Sequence, residues 1–399
     1  MTAAGRRVSG EAGKQKRPGE QERPGPGTTQ IDLLPSLPAY PRTRLPVLDE
    51  RARGTKFIRL PVRSVLNNPA STKMGFWSIN PYVGCEFGCT YCYARDTHRW
   101  VVERAERRYG GMAVERSETT VGGRVSSIGL PPYRRSALPP EEAFEKEILV
   151  KEEVAGVLGR TLNPARVAGH SLVIGTATDP YQPAERKFRL TRQILEVLRS
   201  YHGLSIEIIT KSPLVTRDLD LLRAISEHNE MSVNISLATA DPRLARRLEL
   251  RSPVPAARLR ALRRLIEGGV HAGLIVAPII PGITDDWAGL ARLIEAAKEA
   301  GARYVIGSAL RLGPAARHRF LPLIEREFPQ LAERYRRHYA RSDLASQKYQ
   351  EALTRRLNAL RVAFGFGGDE ASNRRRRRME AAAQPDRSTD DSAEQVVLL

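Results

Sequence analysis

The stretch Asn80-Pro-Tyr-Val-Gly-Cys85-Glu-Phe-Gly-Cys89-Thr-Tyr-Cys92-Tyr-Ala-Arg95 decides how the rest of the chain is read. It holds every cysteine of a 399-residue protein, three thiols within eight residues. An odd, clustered set argues against a disulfide framework and for metal binding. Gly84 and Gly88 let the backbone come close to a bound group, and inward-facing amides can hydrogen-bond bridging sulfides. Three thiolates anchor three irons of a four-iron cube and leave the fourth open. An open metal position binds an exogenous chelator, so it carries function. The competing reading is a Cys3His zinc site made of Cys85, Cys89, Cys92 and His98. Known finger spacings differ from this one, and a structural zinc needs no long body behind it.

Beyond the cysteines the chain runs on for some three hundred residues, in which short β-branched runs alternate with stretches of helical spacing. Ser171 to Thr176 reads as a strand, and 186–201 as an amphipathic helix. Ser205 to Thr210 is strand-like and 214–228 helical; 232–237 is a strand before a helix over 255–267, which stops at Gly268-Gly269. Strands over 271–280 and 304–310 flank a helix over 284–300, and 76–80 supplies the opening strand. Six βα units in series imply an α/β fold with a parallel sheet, since parallel strands need crossover helices. Six units suggest a partial (β/α)6 TIM-like barrel, with a doubly wound open sheet as the runner-up. Residues 144–159 look like a further strand-then-helix unit, and 110–130, rich in Gly, Ser and Thr, like an inserted loop.

The ends read differently. Residues 1–55 are rich in Pro, Gly, Arg and Glu with little apolar content, and 369–399 read the same way, so both are expected to be disordered tails. The core is expected over 57–312, with a helical C-terminal extension over 313–368 carrying Tyr335, Tyr339 and Tyr349 among arginines. That extension reads either as a cap over one barrel end or as ordinary packing helices. No apolar run reaches the roughly 18–20 residues a membrane helix needs. The N-terminus has no apolar stretch after its basic residues, so a cytoplasmic chain is expected. Of the net charge of +19, +14 falls on residues 61–368. Such an excess favours a polyanionic partner such as nucleic acid, set against the plainer reading of arginines on solvated helix faces.

With Tyr91 in the slot before the third cysteine, C-x3-C-x-aromatic-C resembles the cluster motif of the radical S-adenosylmethionine (SAM) superfamily. The strings GTATDPYQPAE (175–185), LTRQILEVL, ITKSPLVTRDLDLL, VNISLAT and AGLIVAPIIPGITDD are similar to its spore photoproduct lyase-like branch, over roughly 57–312. The resemblance implies a [4Fe–4S] cluster, SAM on its open iron, a reductant such as flavodoxin or ferredoxin, and a 5′-deoxyadenosyl radical that abstracts hydrogen from substrate. By the same resemblance, Lys211 pairs with the SAM carboxylate and Ser236 contacts the same end. Thr178 and Asp179 meet the amino group, while Ala277 flanks adenine and Tyr91 packs nearby. One departure bears on substrate. The lyase carries a further cysteine as hydrogen donor, where this chain has Thr176 and no fourth cysteine anywhere. Tyr91, Tyr93 and Tyr181 are the candidates for a tyrosine relay in its place.

Overall fold

The computed structural model describes residues 47–50, 54–72, 74–98, 100–101, 119–121, 124–126 and 138–366. The expected tails 1–55 and 369–399 lie almost wholly outside these residues. So does most of 110–130, of which Thr119–Val121 and Arg124–Ser126 form an antiparallel pair.

Six strands make the central sheet: β1 (Trp77–Ile79), β2 (Ser171–Ile174), β3 (Ser205–Thr210), β4 (Glu230–Ser236), β5 (Ala272–Ile279) and β6 (Val305–Ala309). Each pairs in parallel with the next in sequence. A two-residue strand, Leu66–Asn67, adds antiparallel beside β1. This order separates the two expected architectures. A doubly wound sheet reverses its strand order partway, which puts helices on both faces. Strict succession with right-handed crossovers keeps every helix on one side and curls the sheet around the other. The fold is therefore a partial (β/α)6 TIM-like barrel. The inner strands are buried along most of their length, β2 wholly and β4 all but its first residue, as a sheet covered on both faces requires, while the edge strand β6 is mostly half-buried.

The crossover helices are α1 (Leu190–Leu198), α2 (Leu219–Ser226), α3 (Pro242–Leu248), α4 (Pro255–Glu267) and α5 (Trp287–Glu299). The helix expected over 186–201 is broken by Arg189, which adopts a left-handed φ of 54°. Just before it, the buried Glu185 carboxylate accepts from the Thr191 and Arg192 amides and caps α1. The helix expected from 214 opens instead as a 3-10 turn, Pro213–Asp218. Helix α3 is an addition: Asp241 caps it by accepting from Arg243 and Leu244 amides, with Pro242 at its first position. Helix α4 ends at Gly268-Gly269, where Gly269 takes a φ of +80°.

The unit expected over 144–159 does form, as strand Glu147–Val150 and helix Val154–Thr161, but outside the barrel. Its strand joins a second sheet ordered Val47–Glu50, Lys56–Arg59, Glu147–Val150, Tyr82–Val83. Tyr82–Val83 leads directly into the cysteines, so this small sheet anchors the start of their loop. After β6 come α6 (Pro314–Glu327), α7 (Pro329–Tyr339) and α8 (Gln347–Ala363). The hydroxyl of Tyr335 on α7 donates to Pro281 O, just past the C-terminal end of β5 (2.6 Å). Tyr335 and Tyr339 are both buried with their rings stacked, and α7 thus covers strand ends there.

Gly273 on β5 faces the ring of Tyr304, whose hydroxyl donates to the buried Asn234 Oδ1 on β4 (3.0 Å). A Cβ at Gly273 would stand 2.5 Å from that ring. Gly273→Ala is expected to lower unfolding free energy by about 1–3 kcal/mol through overpacking. Urea denaturation followed by circular dichroism checks this, and an unchanged midpoint would contradict it.

Candidate active site

The loop 84–95 leaves the small sheet and is held from four directions. Cys85 N donates to Phe144 O (2.8 Å). Gly84 takes a φ of +91° in that turn, and a Cβ there would sit 2.8 Å from the same carbonyl. Gly84 O accepts from Thr178 Oγ1 (2.7 Å) and Gln182 Nε2 (3.1 Å), while Gln182 Oε1 accepts from Glu86 N (3.0 Å). From beyond β4, Arg251 N donates to Phe87 O, Thr90 N to Leu248 O, and Cys89 forms a backbone bridge with Glu249. Buried Arg95 donates to Cys89 O (2.8 Å) and pairs with buried Glu145. Burial alone would raise Glu145, but Arg95, Arg251 and Arg319 hold its carboxyl below the usual range.

All three cysteines are free thiols; Cys85 and Cys89 are buried and Cys92 partly so. Burial pushes each thiol up, Cys85 well above its usual value with Asp179 adding to the effect. Cys89 rises to about 12 with Glu249 adding, and Cys92 rises as well. The three thiols are gathered in one loop whose backbone is freed by Gly84 and Gly88, both at positive φ. Three cysteines on one glycine-bearing loop are a donor set that fits an iron–sulfur cluster. The mononuclear zinc reading fares worse. His98 Nε2 lies 3.1 Å from Glu147 O, its ring packs edge-on against Phe144, and burial lowers its pKa to about 4.

Facing this loop, the ends of β2 to β5 are tied side by side. Asp179 accepts from Thr210 Oγ1 (2.7 Å), Lys211 N (2.7 Å) and Tyr181 N (2.9 Å). Lys211 Nζ donates to Ser236 Oγ (3.0 Å), and Ser236 Oγ donates to Ala277 O (3.2 Å). Lys211 Nζ also stands 5.9 Å from the centre of the Tyr91 ring. Five of the expected residues, Tyr91, Asp179, Lys211, Ser236 and Ala277, are thus brought together beside Cys89. Thr178 is nearby, but its hydroxyl hydrogen is spent on Gly84 O, so its evident work is to hold the cysteine loop.

Two residues escaped sequence reasoning. Buried Glu249 accepts from the Tyr91 hydroxyl and from Arg258 Nη2, and Arg258 Nη1 donates to Ser236 O (2.9 Å). Burial would raise the Glu249 carboxyl, but Arg258 and Lys211 outweigh it and hold it low. For Lys211, burial would lower the ammonium, yet Cys89 and Glu249 hold it above its ordinary value. One carboxylate therefore sits between two cations, a phenol and a cysteine. Its only sequence signal is an acid nine residues before an arginine, which is too common to read. As for the tyrosine relay, Tyr91 is spent on Glu249 and Tyr93 donates to Thr176 O. Buried Tyr181 packs its ring 5.9 Å from Arg217.

Comparison with known proteins agrees with this geometry. Residues 79–294 match the model of the Radical SAM superfamily. A protein of Mycobacterium tuberculosis (strain ATCC 25618 / H37Rv), itself uncharacterised, is 30% identical over 346 residues, 86% of this chain and 88% of that one. An uncharacterised protein of Methanocaldococcus jannaschii is 27% identical over 218 residues, 55% of this chain and 66% of its own length. Among solved structures, a spore photoproduct lyase variant superposes with a TM-score of 0.50 at 15% identity, over 78% of this chain and 80% of that one, a likeness of fold. No helix among the described residues is long and apolar enough to cross a membrane. The family match spans more than half the chain and contains the three cysteines, Lys211, Ser236 and Glu249, so the chain belongs to the radical SAM superfamily, an enzyme superfamily whose members use SAM, an iron–sulfur cluster and a reductant.

Proposed function

We propose that Cys85, Cys89 and Cys92 hold a [4Fe–4S] cluster whose fourth iron takes SAM, and that the enzyme turns over an external substrate by radical hydrogen abstraction. When bound, cluster and SAM together supply an electron and a cleavable sulfonium, and hence a 5′-deoxyadenosyl radical. The observation that carries this reading is the placement of the three-cysteine loop against the strand ends, where Lys211 Nζ donates to Ser236 Oγ and stands 5.9 Å from the ring of Tyr91, the residue before Cys92.

The chain's own residues have separate tasks. Lys211 offers a half-buried cation to the SAM carboxylate, and Ser236 orients that ammonium. Asp179, with Thr178 beside it, is the acceptor for an amino group. Ala277 leaves room for a flat base on β5, and Tyr91 walls the same space. Glu249 and Arg258 fix Tyr91 and balance Lys211, so that an incoming zwitterion meets a preset field. The barrel body is 57–312; of the helical extension 313–368, α7 lies over strand ends and α8 packs against β6. A reducing, cytoplasmic setting and a small electron-transfer protein such as flavodoxin or ferredoxin belong to the same reading.

Nucleic acid is the substrate class favoured by charge. A cavity of about 580 Å³ beside Tyr335 and Tyr349 is lined by Arg334, Arg337 and Arg341. A body of net +14 supports a polyanion as well. Spore-lesion repair through a thiol hydrogen donor does not carry over, because Thr176 stands at the donor position and every thiol is assigned to iron.

Reconstituted anaerobically, the protein is expected to be brown and, once reduced with SAM, to release 5′-deoxyadenosine and methionine; Cys89→Ala abolishes both products. Iron-free, colourless protein after reconstitution would sink the reading. Lys211→Ala should keep the iron–sulfur absorbance while weakening SAM binding by roughly 10–100-fold, the worth of a charged hydrogen bond. Loss of the absorbance would mean that Lys211 has another role. Glu249→Ala leaves Arg258 buried and unpaired, so denaturant titration should show a loss of about 3–5 kcal/mol. The Glu249 carboxyl is depressed on folding. Its contribution is therefore full above the unfolded value of about 4.3 and fades as pH falls through the folded one.

A further inference from the structure

The segment Glu249–Val254 is the wall between the cysteine loop and the outside. Its inner side bonds the loop: Glu249 bridges Cys89, Ser252 Oγ lies 3.5 Å from Cys89 Sγ, and Arg251 N donates to Phe87 O. Its outer side is unusually apolar for a surface. Leu250 and Val254 are 38% and 42% exposed, two of the six large hydrophobic side chains that stand open among the described residues. Between this wall and the turns after β2 and β3 lies a hollow of about 330 Å³. Phe87, the residue between Cys85 and Cys89 that is 3% exposed, forms part of its lining with Tyr181, Pro183, Pro213, Leu214 and Pro253. None of Thr178, Asp179, Lys211, Ser236 or Ala277 lines it, so it is separate from the proposed SAM site.

The charges around the hollow have one sign. Arg186 lines it, is exposed, and has no side-chain partner among the described residues. Arg251 lines it with its side chain 40% exposed, although it also reaches Glu145 and Glu86 O. The neighbouring acids are buried: Glu145 is engaged by Arg95 and Arg251, Glu185 and Asp218 by Arg217, and Glu86, beside Phe87, is 6% exposed. Outward there remain two arginines around an apolar floor close to two cysteines.

We propose that this hollow is the docking site of the reductant, a small acidic electron-transfer protein that lays its own redox group against Phe87. The inference rests on the proposed cluster and adds the surface through which it is reduced. Charge complementarity selects an acidic partner, because positive rim charges attract it and speed encounter. The apolar floor supplies contact without desolvating a charge. The location comes from the reaction's demand: one electron must pass from carrier to cluster, oxidising the former and reducing the latter. Transfer falls steeply with distance, which favours the thin wall beside Cys89 over the barrel mouth.

The test uses reconstituted full-length protein and an acidic flavodoxin as the probe. Binding is measured by isothermal titration and cluster reduction by bleaching of visible absorbance without SAM. Dithionite-driven SAM cleavage is followed in parallel. Arg186→Glu, a change at an exposed side chain without a partner, should weaken flavodoxin binding about tenfold at low salt, with the difference closing as salt rises. Val254→Asp, at an exposed side chain next to the lining residue Pro253, should act in the same direction, while dithionite-driven cleavage stays as in the wild type. Arg341→Glu, on the separate basic cavity, should leave flavodoxin binding unchanged. The docking proposal is overturned if Arg186→Glu and Val254→Asp bind flavodoxin within twofold of wild type, or if Arg341→Glu alone weakens it. It is also overturned if a DNA duplex, rather than flavodoxin, is what Arg186→Glu and Val254→Asp lose. Failure of wild-type protein to cleave SAM with dithionite would instead strike the cofactor assignment, and the binding measurement would still decide the docking surface.

Discussion

One buried carboxylate organises this site. Glu249 accepts the Tyr91 hydroxyl, pairs with Arg258, bridges Cys89 through its backbone and sets the charge environment of Lys211. A lone ionised carboxylate at that depth would be strongly disfavoured, and two lone cations equally so. Together they compensate one another, and the compensation holds only while the cysteine loop, the end of β4 and helix α4 keep their positions. Such pairs often add little net stability. Their effect here is to fix where a cation stands before any ligand arrives.

Around that carboxylate, the fold supplies rigid mounts. Strand succession puts the ends of β2, β3, β4 and β5 next to one another, so Asp179, Lys211, Ser236 and Ala277 fall in line without any long loop. The cysteine loop itself has little regular structure, and it is fixed instead by Gln182, Thr178, Arg95 and the Glu249–Ser252 wall. Catalytic loops on rigid scaffolds commonly work this way. Burial of Cys85 and Cys89 has a second effect: it raises both thiols above their ordinary value.

Alternating strand and helix periods locate all six barrel strands in the sequence, and Gly268-Gly269 marks the end of α4, because both signals are local. Cysteine spacing locates the loop for the same reason. What escapes depends on partner choice across the chain. Glu147–Val150 reads like any barrel strand, yet pairs with Lys56–Arg59 and Tyr82–Val83, which no local pattern encodes. Arg189 looks like a helix interior until Glu185 turns back to cap Thr191. Thr178 carries the right chemistry for an amino group but meets Gly84 O first. Glu249 and Arg258 gain meaning only from Tyr91, more than 150 residues away in sequence.

Helix α8 has a consequence for what counts as the catalytic module. Leu353, Leu357 and Leu360 on it belong to the same apolar core as the barrel strands, and Leu357 lies against Gly307 of β6. The sixth strand thus receives its covering helix only after α6 and α7 have intervened. In architectural terms the C-terminal segment is the delayed closing half of the last repeat, and the smallest piece able to bury β6 runs to Phe366 rather than stopping where the alternation of strand and helix first fades.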